Sequence, residues 1–140
     1  SMFMHAGLAH LFFNMLGLLS FGPDCENQLG ERKFLVFYLL MGLGASLLQL
    51  FFTTGAMIGA SGAIWCLMML YALFNPEQVF NIYFIIPAKI KYIVGVYFFI
   101  EVILAIHSND GVSHIAHVAG GLCGAVTYFL DKRSFKSSKQ

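Results

Sequence analysis

Five long apolar stretches separated by short polar ones set the layout of the chain, at residues 4–21, 34–52, 59–74, 90–107 and 113–130. Crossing a hydrocarbon core about 30 Å thick takes roughly 17–25 helical residues at about 1.5 Å each. The stretches come near that length, so the pattern predicts an all-α, polytopic membrane bundle of about five transmembrane helices. The intervening segments "GPDCENQLG" and "HSNDG" carry Gly, Pro, Asn and Asp and read as turns. An amphipathic or re-entrant piece is expected at "VFNIYFIIP", where Pro87 precedes the fourth span. No repeat, linker or low-complexity segment divides the chain. Residues 1–131 therefore read as one membrane domain, and 132–140 as a solvated, cytoplasmic basic tail.

Composition agrees with that medium, because 59% of the residues are hydrophobic and 11% charged, far more apolar than a soluble domain. The cations then orient the spans. Arg32, Lys33, Lys89, Lys91, Lys132, Arg133, Lys136 and Lys139 fall in the first connection, the third connection and the tail. With five spans those segments share one side, which the positive-inside rule makes cytoplasmic. The expected location is the plasma (inner) membrane, multi-pass, with the C-terminus in the cytoplasm. No cleavable-signal pattern precedes the first span, which lacks a basic n-region and a processing site. Cys66 and Cys123 fall within spans and Cys25 in the first cytoplasmic connection, an arrangement that argues against a disulfide framework. There is no Gly-rich phosphate loop, and the basic residues follow topology, so neither nucleotide nor nucleic acid is an expected partner.

Against this apolar background the polar residues stand out. His5, His10, His107, His114, His117, Asn14 and Ser61 all lie toward the outer ends of spans. Unsatisfied polar groups in hydrocarbon cost several kcal/mol, so these side chains should face the protein interior or a wet cavity. A serine hydroxyl becomes a nucleophile when an imidazole within reach takes its proton, and acyl transfer also needs donors aimed at the developing oxyanion. Ser61 can supply the first group and His117 the second. His10 and Asn14, spaced i,i+4, project from one helix face and can donate to an oxyanion beside the Ser61 amide. Blander readings compete. "GASG" can be a tight helix start, and His114 and His117 can both be interhelical hydrogen bonders. His107 and Asp110 read as loop residues. The series Ala116, Gly120 and Gly124 has the small-xxx-small spacing that lets helices approach closely. If its partner is the span beginning at Gly59, Ser61 and His117 come together. No metal set is expected, since no carboxylate or cysteine shares the depth of His5, His10, His114 and His117 with the spacing of a metal motif. No cofactor is expected either.

Four motifs in order now resemble those of the rhomboid intramembrane serine proteases, over essentially the whole chain. "HAGLAHLFFN" is similar to the family's second-span pattern of two histidines and an asparagine, and "GPDCENQLG" to its Gly, Glu, Gly motif, carried by Gly22, Glu26 and Gly30. "GASG" resembles the nucleophile motif, with Gly59 and Gly62 around Ser61, and "AHVAGGLCG" the last-span motif. The resemblance implies a rhomboid-like fold, a Ser61–His117 dyad, and an oxyanion hole from His10, Asn14 and the Ser61 amide. It selects His117 over His114, because Ala116 precedes His117 and Gly120 follows three residues on. For His5 it implies a structural hydrogen bond. For Trp65 it implies an aromatic ring beside the catalytic histidine, with core filling as the alternative. Family members usually carry a further span and a long loop before the "HAG" helix, so the chain reads as N-terminally truncated.

The expected activity is cleavage of transmembrane segments of other membrane proteins near the outer face of the bilayer, with small residues and helix breakers favoured at the cut. Its partners are those substrates and the lipid bilayer. A catalytically inactive rhomboid-like protein that binds membrane clients is the alternative, although such proteins typically lose the serine or histidine. A transporter fragment would need polar residues at the midplane. Glu101, about six residues from the outer end of the fourth span, departs from the family's apolar habit there. It is expected as a neutral, hydrogen-bonded carboxyl facing a wet cavity or another span, with a third catalytic member orienting His117 as the lesser alternative.

Overall fold

The computed structural model describes residues 8–52, 60–82, 85–108 and 112–136. Five helices and one hairpin make up the described chain: α1 (Leu8–Leu29), α2 (Glu31–Phe52), α3 (Ser61–Phe74), β1 (Val79–Ile82), β2 (Ile86–Lys89), α4 (Ile90–His107) and α5 (His114–Lys136). The five-helix bundle expected from the apolar pattern is present. Among the described residues, α4 is the helix long and apolar enough to cross a membrane by itself; the apolar parts of α3 (Ser61–Phe74) and α5 (His114–Leu130) are shorter.

Two connections differ from expectation. The first, "GPDCENQLG", is helical almost throughout, because α1 continues past Pro23 to Leu29. Proline lacks an N–H and crowds the preceding turn, but membrane helices tolerate it where neighbours satisfy the released groups. The reversal is made at Gly30 alone, with φ +81°, a left-handed conformation that glycine adopts without a Cβ penalty. Its N–H donates to the Glu26 carbonyl at 2.7 Å, and its own carbonyl accepts from Phe34 at 2.9 Å to start α2. Cys25 consequently sits in the core, fully buried, rather than in a cytoplasmic loop. Its thiol donates to the Leu67 carbonyl at 3.6 Å.

The second difference is the "VFNIYFIIP" segment, expected as an amphipathic or re-entrant piece, which contributes to an antiparallel hairpin. Val79 pairs with Lys89, Phe80 with Ala88, Asn81 with Pro87 and Ile82 with Ile86. Aromatic and β-branched residues favour the pleated surface, and Pro87 is tolerable in a two-stranded ribbon whose other edge is open. Glu77 anchors the hairpin base to α4 through ion pairs with Lys91 and, at 2.6 Å, with Lys89.

Packing centres on α3. Leu67, Leu70, Tyr71 and Cys25 join Ile90 and Val94 in the buried core. Contacts Gly62–Gly120, Cys66–Gly124 and Phe74–Tyr128 advance together along α3 and α5, so these helices run parallel. Gly17 against Ile64 and Phe21 against Tyr71 do the same for α1 and α3. Outward, Leu8, Leu19, Ile106, Phe129 and Leu130 are 64–86% exposed. Such an apolar exterior is costly in water and suits a lipid surround.

At its far end α5 runs on to Lys136, so the first tail residues extend the last helix.

Candidate active site

Ser61 opens α3, preceded by Ala60 with φ −90° and ψ 7° and no side-chain cap. The first intrahelical bond runs from the Ile64 N–H to the Ala60 carbonyl at 3.0 Å. Amides in the first turn of a helix lack an intrahelical acceptor, and they make the N-terminus of α3 a site of partial positive charge. With 14 residues, α3 is about 21 Å long, short of the roughly 30 Å hydrocarbon core. If its far end reaches the cytoplasmic side, its first turn begins below the outer surface.

The small residues of α5 meet this turn. A Cβ added to Gly120 would stand 2.0 Å from the Gly62 carbonyl oxygen, and one added to Gly124 2.5 Å from that of Cys66. Only glycine permits two backbones to come so close. Ala116, the remaining member of the series, is 1% exposed. His117 lies one turn before Gly120, and Trp65 one turn after Ser61. Helical side chains lean toward the N-terminus, which carries the indole up to the level of the imidazole. The rings stack with centroids 5.7 Å apart and planes 27° from parallel. The ring contact expected at Trp65 is thus present, beyond simple core filling.

α1 supplies the third side. Gly17 packs on Ile64 closely enough that a Cβ would lie 2.6 Å from Ile64 Cγ2. Since the helices run parallel, Asn14, three residues before Gly17, is level with Ser61, three before Ile64. Asn14 is buried, and its amide donates to the His10 carbonyl at 3.0 Å. That leaves a second N–H on the same amide group for another acceptor. His10 lies one turn further out on α1 and is half-buried. His5 and Gly59 lie outside the described residues.

Glu101 faces another span, one of the two surroundings expected for it, and meets both histidines there: Oε2 lies 2.6 Å from His114 Nδ1 and 3.1 Å from His117 Nδ1. The reason is topological. α4 and α5 are joined by a six-residue connection, so they pack antiparallel and bring the outer end of one beside the outer end of the other. Phe98 against Gly121 continues that contact one turn deeper. A carboxylate therefore does share the depth of the histidines. Glu101, His114 and His117 offer three ligand atoms within 4.8 Å of one another, an N,N,O set of the kind that holds a divalent cation.

The combination of a serine at a helix start, an aromatic-stacked histidine and the glycine seam between their helices extends the motif resemblance into three dimensions. The family model described as the Rhomboid domain matches residues 1–134. The chain belongs to the rhomboid family. This rhomboid is 33% identical over 133 residues to "RHOMBOID-like protein 6, mitochondrial" of Arabidopsis thaliana, covering 93% of this chain and 41% of that protein. It is 33% identical over 137 residues to "Rhomboid protease GluP" of Bacillus subtilis (strain 168), covering 92% of this chain and 25% of the relative. With "Rhomboid protease AarA" of Providencia stuartii it shares 28% over 148 residues, 90% of this chain and 52% of the relative. The chain spans about half or less of the length of these relatives. No solved structure matches it. Rhomboids are integral membrane proteins, and the relatives include named proteases, which supports a protease at the level of the family.

Sequence reasoning offered the pairing of Glu101 with His117 only as the lesser alternative and missed the pairing with His114. The available signal was a lone carboxyl in an apolar span, six residues before a short connection that leads to two histidines.

Proposed function

We propose that this rhomboid is an intramembrane serine endopeptidase with Ser61 as nucleophile and His117 as general base. The observation that carries the reading is the stacking of Trp65 on His117, which ties the imidazole to the helix that begins with Ser61. Ser61 Oγ attacks the scissile carbonyl carbon while its proton passes to His117 Nε2. The carbonyl π electrons move to oxygen, giving an oxyanion that the Ser61 amide, Asn14 and His10 stabilise as hydrogen-bond donors. Collapse breaks the C–N bond, and the proton on His117 goes to the leaving amine. Water then attacks the acyl-enzyme, again losing a proton to His117, and Ser61 departs as the alcohol. His5 is proposed as a structural hydrogen bonder beside this machinery.

The substrate is a transmembrane segment. A helix hides its carbonyls in its own hydrogen bonds, so the scissile region must unwind locally, which helix breakers and small residues favour. Cleavage falls toward the outer face, and the C-terminus lies in the cytoplasm, because Arg32, Lys33, Lys89, Lys91 and the α5 cations share the opposite end of the bundle.

A serine-directed fluorophosphonate applied to the full-length protein in liposomes tests the assignment. Labelling at Ser61 is expected, together with cleavage of a model membrane substrate. Labelling that persists in Ser61→Ala overturns the nucleophile, and a parent that binds substrate but neither labels nor cleaves it returns the reading to an inactive client binder.

A further inference from the structure

The partly buried carboxylate of Glu101 is, among the described residues, the acidic side chain brought to the histidines of α5, and a single oxygen of it lies near two imidazoles. His114 Nδ1 stands 2.6 Å from Oε2, a short, well-directed hydrogen bond. His117 Nδ1 stands 3.1 Å from the same atom, within ion-pair distance but off the line of an ideal hydrogen bond. That nitrogen is buried and, among the described residues, has no other hydrogen-bond partner. A carboxylate oxygen accepts two N–H donors with its two lone pairs, so both imidazoles can be protonated at Nδ1 together.

A metal ion is the competing occupant of this cluster. Two atoms bound to a tetrahedral zinc at about 2.0–2.1 Å lie roughly 3.3 Å apart. The His114–Glu101 separation of 2.6 Å is shorter than such an edge and matches a charge-assisted hydrogen bond.

We infer that Glu101 is a positioning residue for His117: by accepting from Nδ1–H it fixes the tautomer that leaves Nε2 unprotonated and available to Ser61, while His114 holds the carboxylate in place from the other side. The inference rests on the reading of Ser61 and His117 as nucleophile and base. Three contacts then orient the imidazole, with Glu101 beside Nδ1, Trp65 on its face and α3 across the glycine seam. The off-axis approach to His117 is closed by a small turn of the carboxylate, since catalytic hydrogen bonds in unliganded sites are often loose and tighten with substrate. Glu101 remains ionised through the cycle. It stabilises the imidazolium that forms when Ser61 gives up its proton and takes no proton itself.

Steady-state proteolysis and nitrogen NMR on the full-length protein in liposomes together decide the matter. Glu101→Leu is expected to lower kcat about 100-fold or more with KM within about threefold, since an orienting partner acts on the transition state rather than on substrate binding. Glu101→Asp should restore part of the rate. Glu101→Gln, whose amide oxygen can still accept from an imidazole, guards against misfolding and should fall between Leu and the parent. The 15N shifts of selectively labelled His117 should report an Nδ1-protonated ring in the parent and a mixed or Nε2-protonated ring in Glu101→Leu. A Leu variant with kcat within threefold of the parent, or an unchanged His117 tautomer in a variant that still folds, overturns the inference. A parent that neither cleaves nor labels at Ser61 sinks the protease reading instead, while the tautomer measurement still decides whether Glu101 sets the imidazole.

Discussion

Gly120 lies so close to Gly62 that a single added carbon would stand 2.0 Å from the Gly62 carbonyl oxygen. That approach joins the helix carrying His117 to the helix beginning at Ser61. The obstructing atom is backbone and cannot rotate away, so Gly120→Ala must push α3 and α5 apart. Overpacking of this kind costs about 1–3 kcal/mol. Gly120→Ala should lower the unfolding temperature and reduce proteolysis at least about tenfold, because misplacing catalytic groups by about 1 Å can cost two orders of magnitude. Gly95→Ala, at a position with nothing within 4 Å of the added carbon, is the control and should leave both unchanged or slightly raise stability.

The two histidines of α5 should separate cleanly. Their rings are 6.0 Å apart and nearly perpendicular, and the helix rise sets them about 4.5 Å apart along the axis. His117→Ala should abolish cleavage of a model membrane substrate. His114→Ala removes one of two donors to Glu101 and should lose about tenfold or less, since Glu101 still faces His117. A null His114→Ala beside an active His117→Ala would reverse the assignment.

Asn14 offers a kinetic test. Removing one oxyanion donor typically costs on the order of 10² to 10³ in turnover, less where several donors share the charge. Asn14→Ala should therefore depress kcat while KM stays near that of the parent. A raised KM with unchanged kcat would make Asn14 a binding or packing residue. Its bond to the His10 carbonyl predicts, in addition, a modest loss of α1 stability, readable by hydrogen exchange.

Trp65→Phe should be milder than Trp65→Ala. Phenyl keeps a face for His117 with less area, whereas alanine leaves a cavity beside the imidazole. Turnover in bilayers should rank parent, Phe, Ala, with thermal stability following the same order.

The hairpin base carries a pH-dependent contact away from the site. Hydrogen bonds from Lys89 and Lys91 hold the Glu77 carboxyl down to about 2. A depressed carboxylate stabilises the fold above its unfolded value of about 4.3, and that contribution is lost as pH falls through the folded value. Local hydrogen exchange at Val79–Ile82 should therefore accelerate as pH is lowered from about 4.3 toward 2, after correction for intrinsic rates, and Glu77→Gln should remove the dependence. All three groups are solvent-exposed, so salt should blunt the effect.

Periodicity and motif spacing alone determined that the chain is a helical membrane bundle and that polar groups collect toward one end of its spans, and they made Ser61, His117, His10 and Asn14 the candidates for chemistry. Each is a local property: apolar length sets a span, and i,i+4 spacing puts His10 and Asn14 on one face. Tertiary structure decided what those properties could not. Whether Gly120 meets Gly62 depends on which helix α5 chooses as neighbour, and Trp65 reaches His117 only once the register between α3 and α5 is set. Cys25 became a core residue because α1 ran through Pro23, which neighbouring helices can accommodate but local propensity opposes. The hairpin at Val79–Lys89 was not legible because strand pairing depends on partners four to ten residues away. Glu101 met His114 and His117 because a short connection forces α4 and α5 antiparallel, and a buried carboxyl in an apolar span is stable only where packing delivers it to a donor.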